Sequence, residues 1–413
     1  METILSHRRR KYSSVLIVAV LTLLTMAVAG GSARAAFATI HDFLGSPTDG
    51  SEPYGTTVSD GKGNLFGTTS DGGKFGLGVV YELTAGGTVA ILHSFGGPDG
   101  SKPTCTLILE PSTVAGASPE LFGTTLTGGK ANLGVLFKLT VAGSGYTVLH
   151  DFLGGAGDGA NPWAGVILAS DNYLHGTTLF GGGFNFGTTY RILRSGSGFG
   201  LTHKFTGNTP GVPPDGAYPY ARLFEWEKGK LVGTTADGGG QADDGTVFSQ
   251  SLTGSTYGLL HSFVGTPDGA HPTAELITVV NPAGGPILWG TARDGGAAGV
   301  GIVYSLTPGG GAYTVEYSFL GVPDGANPFG ALIAMGSPTV LLGTTVNGGP
   351  SGNGVAYMVN PFAAAPIPEG IVHGFIPGEG EHPYAALMMP AGGGLVSTTR
   401  DGGQLFDGTV FQL

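Results

Sequence analysis

Four groups of residues in this chain have types and spacings that chemistry could use. A histidine recurs as His41, His93, His150, His203, His261 and His373, with Tyr317 standing in sixth place. Imidazoles ligate zinc, but zinc ligands must meet at about 2 Å from one ion. One histidine per repeat spreads them apart, and Tyr317 is a poor zinc ligand. Packing with one hydrogen bond is the simpler expectation. An acidic residue ahead of glycine recurs as Asp49, Asp99, Asp158, Asp215, Asp268, Asp324 and Glu379. Calcium takes about six to eight oxygens, usually several from one loop, whereas each loop here offers one carboxylate. Turn formation ahead of a glycine accounts for the pattern without an ion.

The third group is Glu225 and Glu227, inside the charged stretch Arg222–Lys230. Two carboxylates serve glycoside hydrolysis, which makes this pair the weak catalytic candidate. Neighbours at i and i+2 on one strand face, beside a Lys-Gly-Lys hairpin, read more simply as a solubilising edge. The fourth group follows each repeat proline: Tyr54, Thr104, Trp163, Tyr220, Thr273, Phe329 and Tyr384. Tyr54, Trp163, Tyr220, Phe329 and Tyr384 are the ligand-binding candidates, because aromatic rings stack on sugars or anchor a protein partner. The plainer alternative is packing against a neighbouring structural unit.

These groups sit in a repeat that must position them. The His-x-Phe element occurs seven times, at spacings of 52, 57, 53, 58, 56 and 56 residues. Each copy continues with acidic-Gly-x-x-Pro, then Gly-Thr-Thr, then Gly-Gly, then a short apolar run ending in Tyr or Phe. Gly290-Thr291-Ala292 and Ser397-Thr398-Thr399 are small departures from the triplet. Each copy reads as four short strands, as in residues 90–95, 164–168, 65–69 and 79–83, separated by Asp-Gly, Gly-Gly and Pro turns. No stretch after residue 35 keeps a helical apolar period over three turns.

Four strands in each of seven units of about 55 residues predict an all-β, seven-bladed β-propeller spanning 36–413. Residues 37–43 form a lone His-x-Phe strand, and Leu413 directly follows the seventh aromatic strand. Pairing the N-terminal strand with the last blade would close the ring and leave no open edge. The pattern leaves open which strand lies nearest the axis.

Residues 1–35 read as a signal peptide. His7–Lys11 is basic, Val15–Gly30 is apolar, and Ala33-Arg34-Ala35 offers a small-x-small cleavage site. The expected location is the periplasm or the cell exterior. The whole chain has 18 basic and 29 acidic residues; without residues 1–35, 13 and 28 remain, a net charge of −15. Nucleic acid is therefore not an expected partner, since phosphate contacts need clustered Lys and Arg. Charged residues make up only 11% of the chain and glycine fills 79 of 413 positions. The 41% hydrophobic share nonetheless argues against disorder. Cys105 is the only cysteine, so neither a disulfide framework nor a cysteine-ligated zinc site is available. Gly-Thr-Thr and Gly-Gly lack the Gly-Lys-Ser/Thr of a phosphate loop, and no cofactor is expected.

The elements Leu-Phe-Gly-Thr-Thr, Asp-Gly-Gly, Gly-x-Val-Phe/Tyr-x-Leu and Leu-His-x-Phe recur in this order. In them the chain resembles the choice-of-anchor tandem GloVer repeat family of bacterial proteins, over essentially all of 36–413. The resemblance implies export and supplies no catalytic residues. The expectation is an exported, monomeric, non-catalytic propeller that binds a glycan or protein. A propeller glycosidase or polysaccharide lyase, and a structural matrix component, are the alternatives.

Overall fold

In a computed structural model the described residues are 36–413, apart from 115, 282–283, 337–338 and 363–368. The expected signal peptide lies outside them. All regular elements among the described residues are strands, and they form a seven-bladed propeller. In blade 1, Val58–Ser59 is innermost, followed outward by Leu65–Thr69, Val79–Leu83 and Val89–Ser94. Blades 2 to 6 repeat this order, their inner strands starting at Ile108, Ile167, Phe224, Ile277 and Ile333. The strand after the proline is therefore nearest the axis, and the His-x-Phe strand is outermost. Blade 7 takes Val396–Thr399 and Thr409–Gln412 from the chain end and Ala38–Asp42 from its beginning as the outer strand. The ring closes as the termini of the repeat predict.

Each recurrent motif has a structural task. The first threonine of Gly-Thr-Thr is buried and, in six blades, donates its hydroxyl to a carbonyl in the segment leading into the inner strand of the next blade. Thr68 reaches Cys105 at 2.8 Å, Thr124 reaches Ala164 at 2.8 Å, and Thr177 reaches Ala221 at 3.0 Å. Thr234 to Ala274 and Thr344 to Ala385 continue the series at 3.2 and 2.9 Å. Thr398 to Gly55, at 3.3 Å, joins blade 7 to blade 1. Blade 5 is the exception, because the buried Thr291 hydroxyl has no partner among the described residues. The second threonine caps its own turn, as Thr69 does on the Asp71 carbonyl at 2.8 Å. The triplet's glycine is a matter of space: a Cβ on Gly67 would lie 2.4 Å from the Tyr81 hydroxyl.

Every outer strand carries a bulge at one place. In blade 1, Ile91 pairs with Tyr81 but His93 pairs with Val80, so Leu92 is the extra residue. A bulge re-aims the side chains beyond it, and here it directs histidine to the acidic residue of the same copy. The pairs are His41–Asp49 at 2.7 Å, His93–Asp99 at 2.8 Å and His150–Asp158 at 3.1 Å. His203–Asp215, His261–Asp268 and His373–Glu379 follow at 2.7, 3.1 and 3.1 Å. Tyr317 donates to Asp324 at 3.0 Å, which explains why tyrosine serves in the sixth copy. The carboxylate also accepts a turn N–H, as from Leu44 to Asp49 at 2.7 Å.

On its other side the imidazole stacks against the next blade. Tyr146 lies on His93, Phe199 on His150, Tyr257 on His203 and Tyr313 on His261, with centroids 3.6–3.8 Å apart. Phe37 lies on His373 at 4.5 Å, so the N-terminal strand is also held by stacking. The phenylalanine of each His-x-Phe is fully buried in the apolar layer between blades.

Removing one threonine hydroxyl should leave a buried carbonyl unpaired, at a cost of about 1–3 kcal/mol. Thr398→Val should lose that much in urea unfolding, whereas Thr291→Val should be neutral or stabilising. Equal losses in the two variants would contradict the assigned bonds. A second expectation concerns acid. Burial, opposed in part by Asp99, lowers the His93 pKa below its ordinary value. The unfolded chain then takes up the proton first as pH falls, so this histidine's contribution is lost below about pH 6.5. His93→Tyr, which repeats the natural choice at Tyr317, should lose less stability between pH 7 and pH 5 than the parent, as measured by urea midpoints.

Candidate functional site

With histidines, acids and threonines engaged in holding blades together, the side chains that differ most between copies are those facing the axis. Alternation along the segment that runs from each repeat proline into the inner strand places three positions toward the channel. The first follows the repeat proline. The residue before that proline is left-handed in all seven blades, with φ between 53° and 56° at Glu52, Lys102, Asn161, Tyr218, His271, Asn327 and His382. Outside glycine and asparagine this backbone is costly. It turns the chain sharply from the rim to the axis and delivers the next side chain inward.

The five aromatic candidates consequently meet. Tyr54 touches Tyr384 and Trp163, with centroids at 5.2 and 5.5 Å. Trp163 touches Tyr220 at 5.5 Å, and Phe329 touches Tyr384 at 5.0 Å. Trp163 and Phe329 belong to blades 3 and 6, on opposite sides of the ring, yet their centroids are 6.3 Å apart. Rings therefore bridge the axis at this level and form a rosette. All contacts are edge-to-face, the favoured geometry for aromatic quadrupoles. The rings are half-buried. Their packing is thus with one another across the axis, in addition to their own blades. Thr104, the first short residue in this layer, donates to the Trp163 carbonyl at 2.8 Å.

Polar groups border the rosette. Arg400 lies over the Tyr384 ring at 5.1 Å and donates to its hydroxyl at 3.2 Å, while Asp401 holds the guanidinium at 2.7 Å. His382 meets the same carboxylate at 2.8 Å. Burial pushes the Tyr54 phenol up to about 12, against the pull of Arg400. Burial and the charge of Asp237 raise Tyr220 as well. Both phenols are therefore neutral hydrogen-bond donors at physiological pH.

Below the rosette the axial positions hold Thr56, Thr106, Gly165, Arg222, Glu275, Ala331 and Ala386, which together with the rosette rings line a cavity of about 600 Å³. Arg222 and Glu275, on adjacent blades, form an ion pair at 2.8 Å. Neither was singled out as a site residue by sequence. The available signal was a charged residue two positions after the post-proline residue, in a register where the other blades carry only Thr, Gly or Ala.

The two glutamates of the charged stretch lie further along the blade 4 inner strand, Phe224–Glu227. Their pairing with the next strand is irregular between Glu225 and Glu227, so simple alternation does not relate the two side chains. Glu225 accepts from the Ser170 N–H at 2.8 Å, the Ser170 hydroxyl at 2.5 Å and the Gly229 N–H at 2.7 Å. These bonds outweigh its burial and lower its pKa. Glu227 is exposed and pairs with Lys230 at 2.7 Å. Cys105 is buried, with its sulfur accepting the Thr124 N–H at 3.2 Å. Among the described residues no three His, Cys, Asp or Glu side chains gather as a metal site, and no helix is long and apolar enough to cross a membrane.

Comparison with solved structures finds the same architecture in proteins of different activity. A streptogramin B lyase structure aligns with TM-score 0.55 and 13% identity, covering 91% of this chain and 96% of that one. An oligogalacturonate lyase in complex with manganese gives 0.54 and 11%, covering 92% and 96%. An ancestral GH74 enzyme gives 0.58 and 11%, covering 89% of this chain and 48% of that one. At these identities the likeness is one of fold. Among curated protein sequences none matches this chain. The family model described as the Gloeobacter/Verrucomicrobia repeat matches residues 110–285 and 278–413. The same repeat elements recur in the segment before residue 110, and the protein belongs to the Gloeobacter/Verrucomicrobia repeat family.

Proposed function

We propose that this is an exported, non-catalytic binding propeller and that the aromatic rosette is its platform for a neutral glycan. The observation that carries this reading is the meeting of Tyr54, Trp163, Tyr220, Phe329 and Tyr384 in one half-buried layer at the axis. Folding alone asks for no such layer, since Thr104 and Thr273 occupy the same register in blades 2 and 5. Apolar ring faces accompanied by phenol hydroxyls suit the mixed surface of a sugar, which presents C–H groups and hydroxyls together. The net charge of −15 left after removal of residues 1–35 disfavours an acidic polysaccharide. A binding role also agrees with Glu225 and Glu227 being engaged by Ser170, Gly229 and Lys230.

Titration calorimetry of the mature protein with neutral oligosaccharides tests the reading. Trp163→Ala or Tyr384→Ala should weaken binding at least about tenfold, the effect of losing roughly 1.4 kcal/mol. Phe180→Ala, outside the rosette, should leave binding unchanged. Absence of binding across neutral glycans, or full affinity in both folded rosette variants, would remove this reading. For export, intact-mass measurement of protein from the periplasm or medium should give a chain starting at Ala36. Recovery of the uncleaved chain in the membrane fraction would argue instead for a retained anchor.

A further inference from the structure

The cavity beneath the rosette has a chemistry of its own. Arg222 and Glu275 stand together on blades 4 and 5, Gly165 and Ala331 leave room on the blades that flank them, and Ala386 is small on blade 7. The ion pair is lopsided: Arg222 Nε and Nη2 both donate to Glu275 Oε2, at 2.9 and 2.8 Å. Arg222 Nη1 and Glu275 Oε1 have no partner among the described residues. The two side chains are 27% and 18% exposed, and both line the cavity. One strand turn further along, Val58, Phe224, Ile277, Ile333 and Met388 make an apolar collar. Exposed Met389 marks the mouth at the end away from the rosette.

A free N–H donor and a free carboxylate acceptor carried by one ion pair are the complement of a group that presents an acceptor and a donor together. A primary amide or lactam edge has this arrangement: its carbonyl accepts from Arg222 Nη1 and its N–H donates to Glu275 Oε1. Two such bonds to charged partners in a partly shielded cavity are worth more than the same bonds in water. We infer that the axial cavity is a second binding site, separate from the rosette, for a small molecule carrying an amide-type edge on an apolar body. The volume of about 600 Å³ falls in the range of small-ligand pockets. The rosette rings line one end of this cavity; a glycan stacked on their outer faces leaves Arg222 and Glu275 free, so the two should fill independently.

The test uses the purified mature protein, ligand-observed NMR, and phenylacetamide against its ester counterpart methyl phenylacetate, which lacks the N–H donor. The amide should bind saturably and the ester about tenfold or more weakly, the loss expected when a buried charged acceptor is left unpaired. Ala386→Leu, which fills the cavity, should abolish amide binding while glycan binding at the rosette persists. Should Ala386→Leu not fold, Ala331→Val fills the same space from another blade. Glu275→Gln should weaken the amide by about fivefold, through loss of the charged acceptor. No saturable amide binding, equal binding of the ester, or undiminished binding in a folded cavity-filling variant would each overturn the inference.

Discussion

The hydroxyl-to-carbonyl bond from the first threonine of Gly-Thr-Thr to the following blade is the contact on which this ring depends. It crosses six of the seven interfaces close to the axis, where the inner strands are only two to four residues long. So short a strand has few ladder bonds of its own, and the threonine fixes its depth and register from the neighbouring sheet. At the opposite end of blades 1, 2, 3, 4 and 6, a histidine stacked on the next blade and bonded to its own acid performs the equivalent task at the rim. Between the two lies the apolar layer containing the buried phenylalanines. The interfaces are thus pinned at both edges and dry in the middle, which is how a glycine-rich chain with little charge forms a rigid disc.

Much of this architecture was legible in the sequence because the repeat is nearly strict. Copy number, strand count and the spare strand at residues 37–43 together required closure by the N-terminal segment, and Ala38–Asp42 does pair with the last strand. Other features left fainter traces. The stacking partner of each histidine is an aromatic four residues before the next copy's histidine or tyrosine. That spacing holds at Phe37, Tyr146, Phe199, Tyr257 and Tyr313, but Val89 and Glu369 interrupt it. The outer-strand bulge shifts a side chain by one position without any glycine or proline to announce it. The left-handed residue before each proline was hidden because Glu, Lys, Tyr and His are not residues associated with that backbone.

The site was legible to a lesser degree for a geometric reason. Strand alternation states that Tyr54, Thr56 and Val58 share a face, but not that this face looks onto an axis. Only when the post-proline strand is known to be innermost do residues more than 300 positions apart, such as Tyr54 and Tyr384, become neighbours. The same folding brings Arg222 to Glu275, which a linear reading treats as separate irregularities in successive copies. The axial positions are where copies are free to differ, because the blade-joining contacts draw on other faces of the strands.

One junction is built differently. Between blades 5 and 6 the Thr291 hydroxyl finds no acceptor among the described residues, and the turn-capping threonine is replaced by Ala292. The interface there gathers Trp289, Val303, Phe319, Leu332, Leu341, Val355 and Tyr357 into one apolar cluster. Apolar association weakens on cooling, and this seam lacks the threonine bond that its six counterparts add to their own apolar layers. Chilled toward freezing, the disc would loosen first along that radius, one blade away from the place where its two chain ends are stitched together.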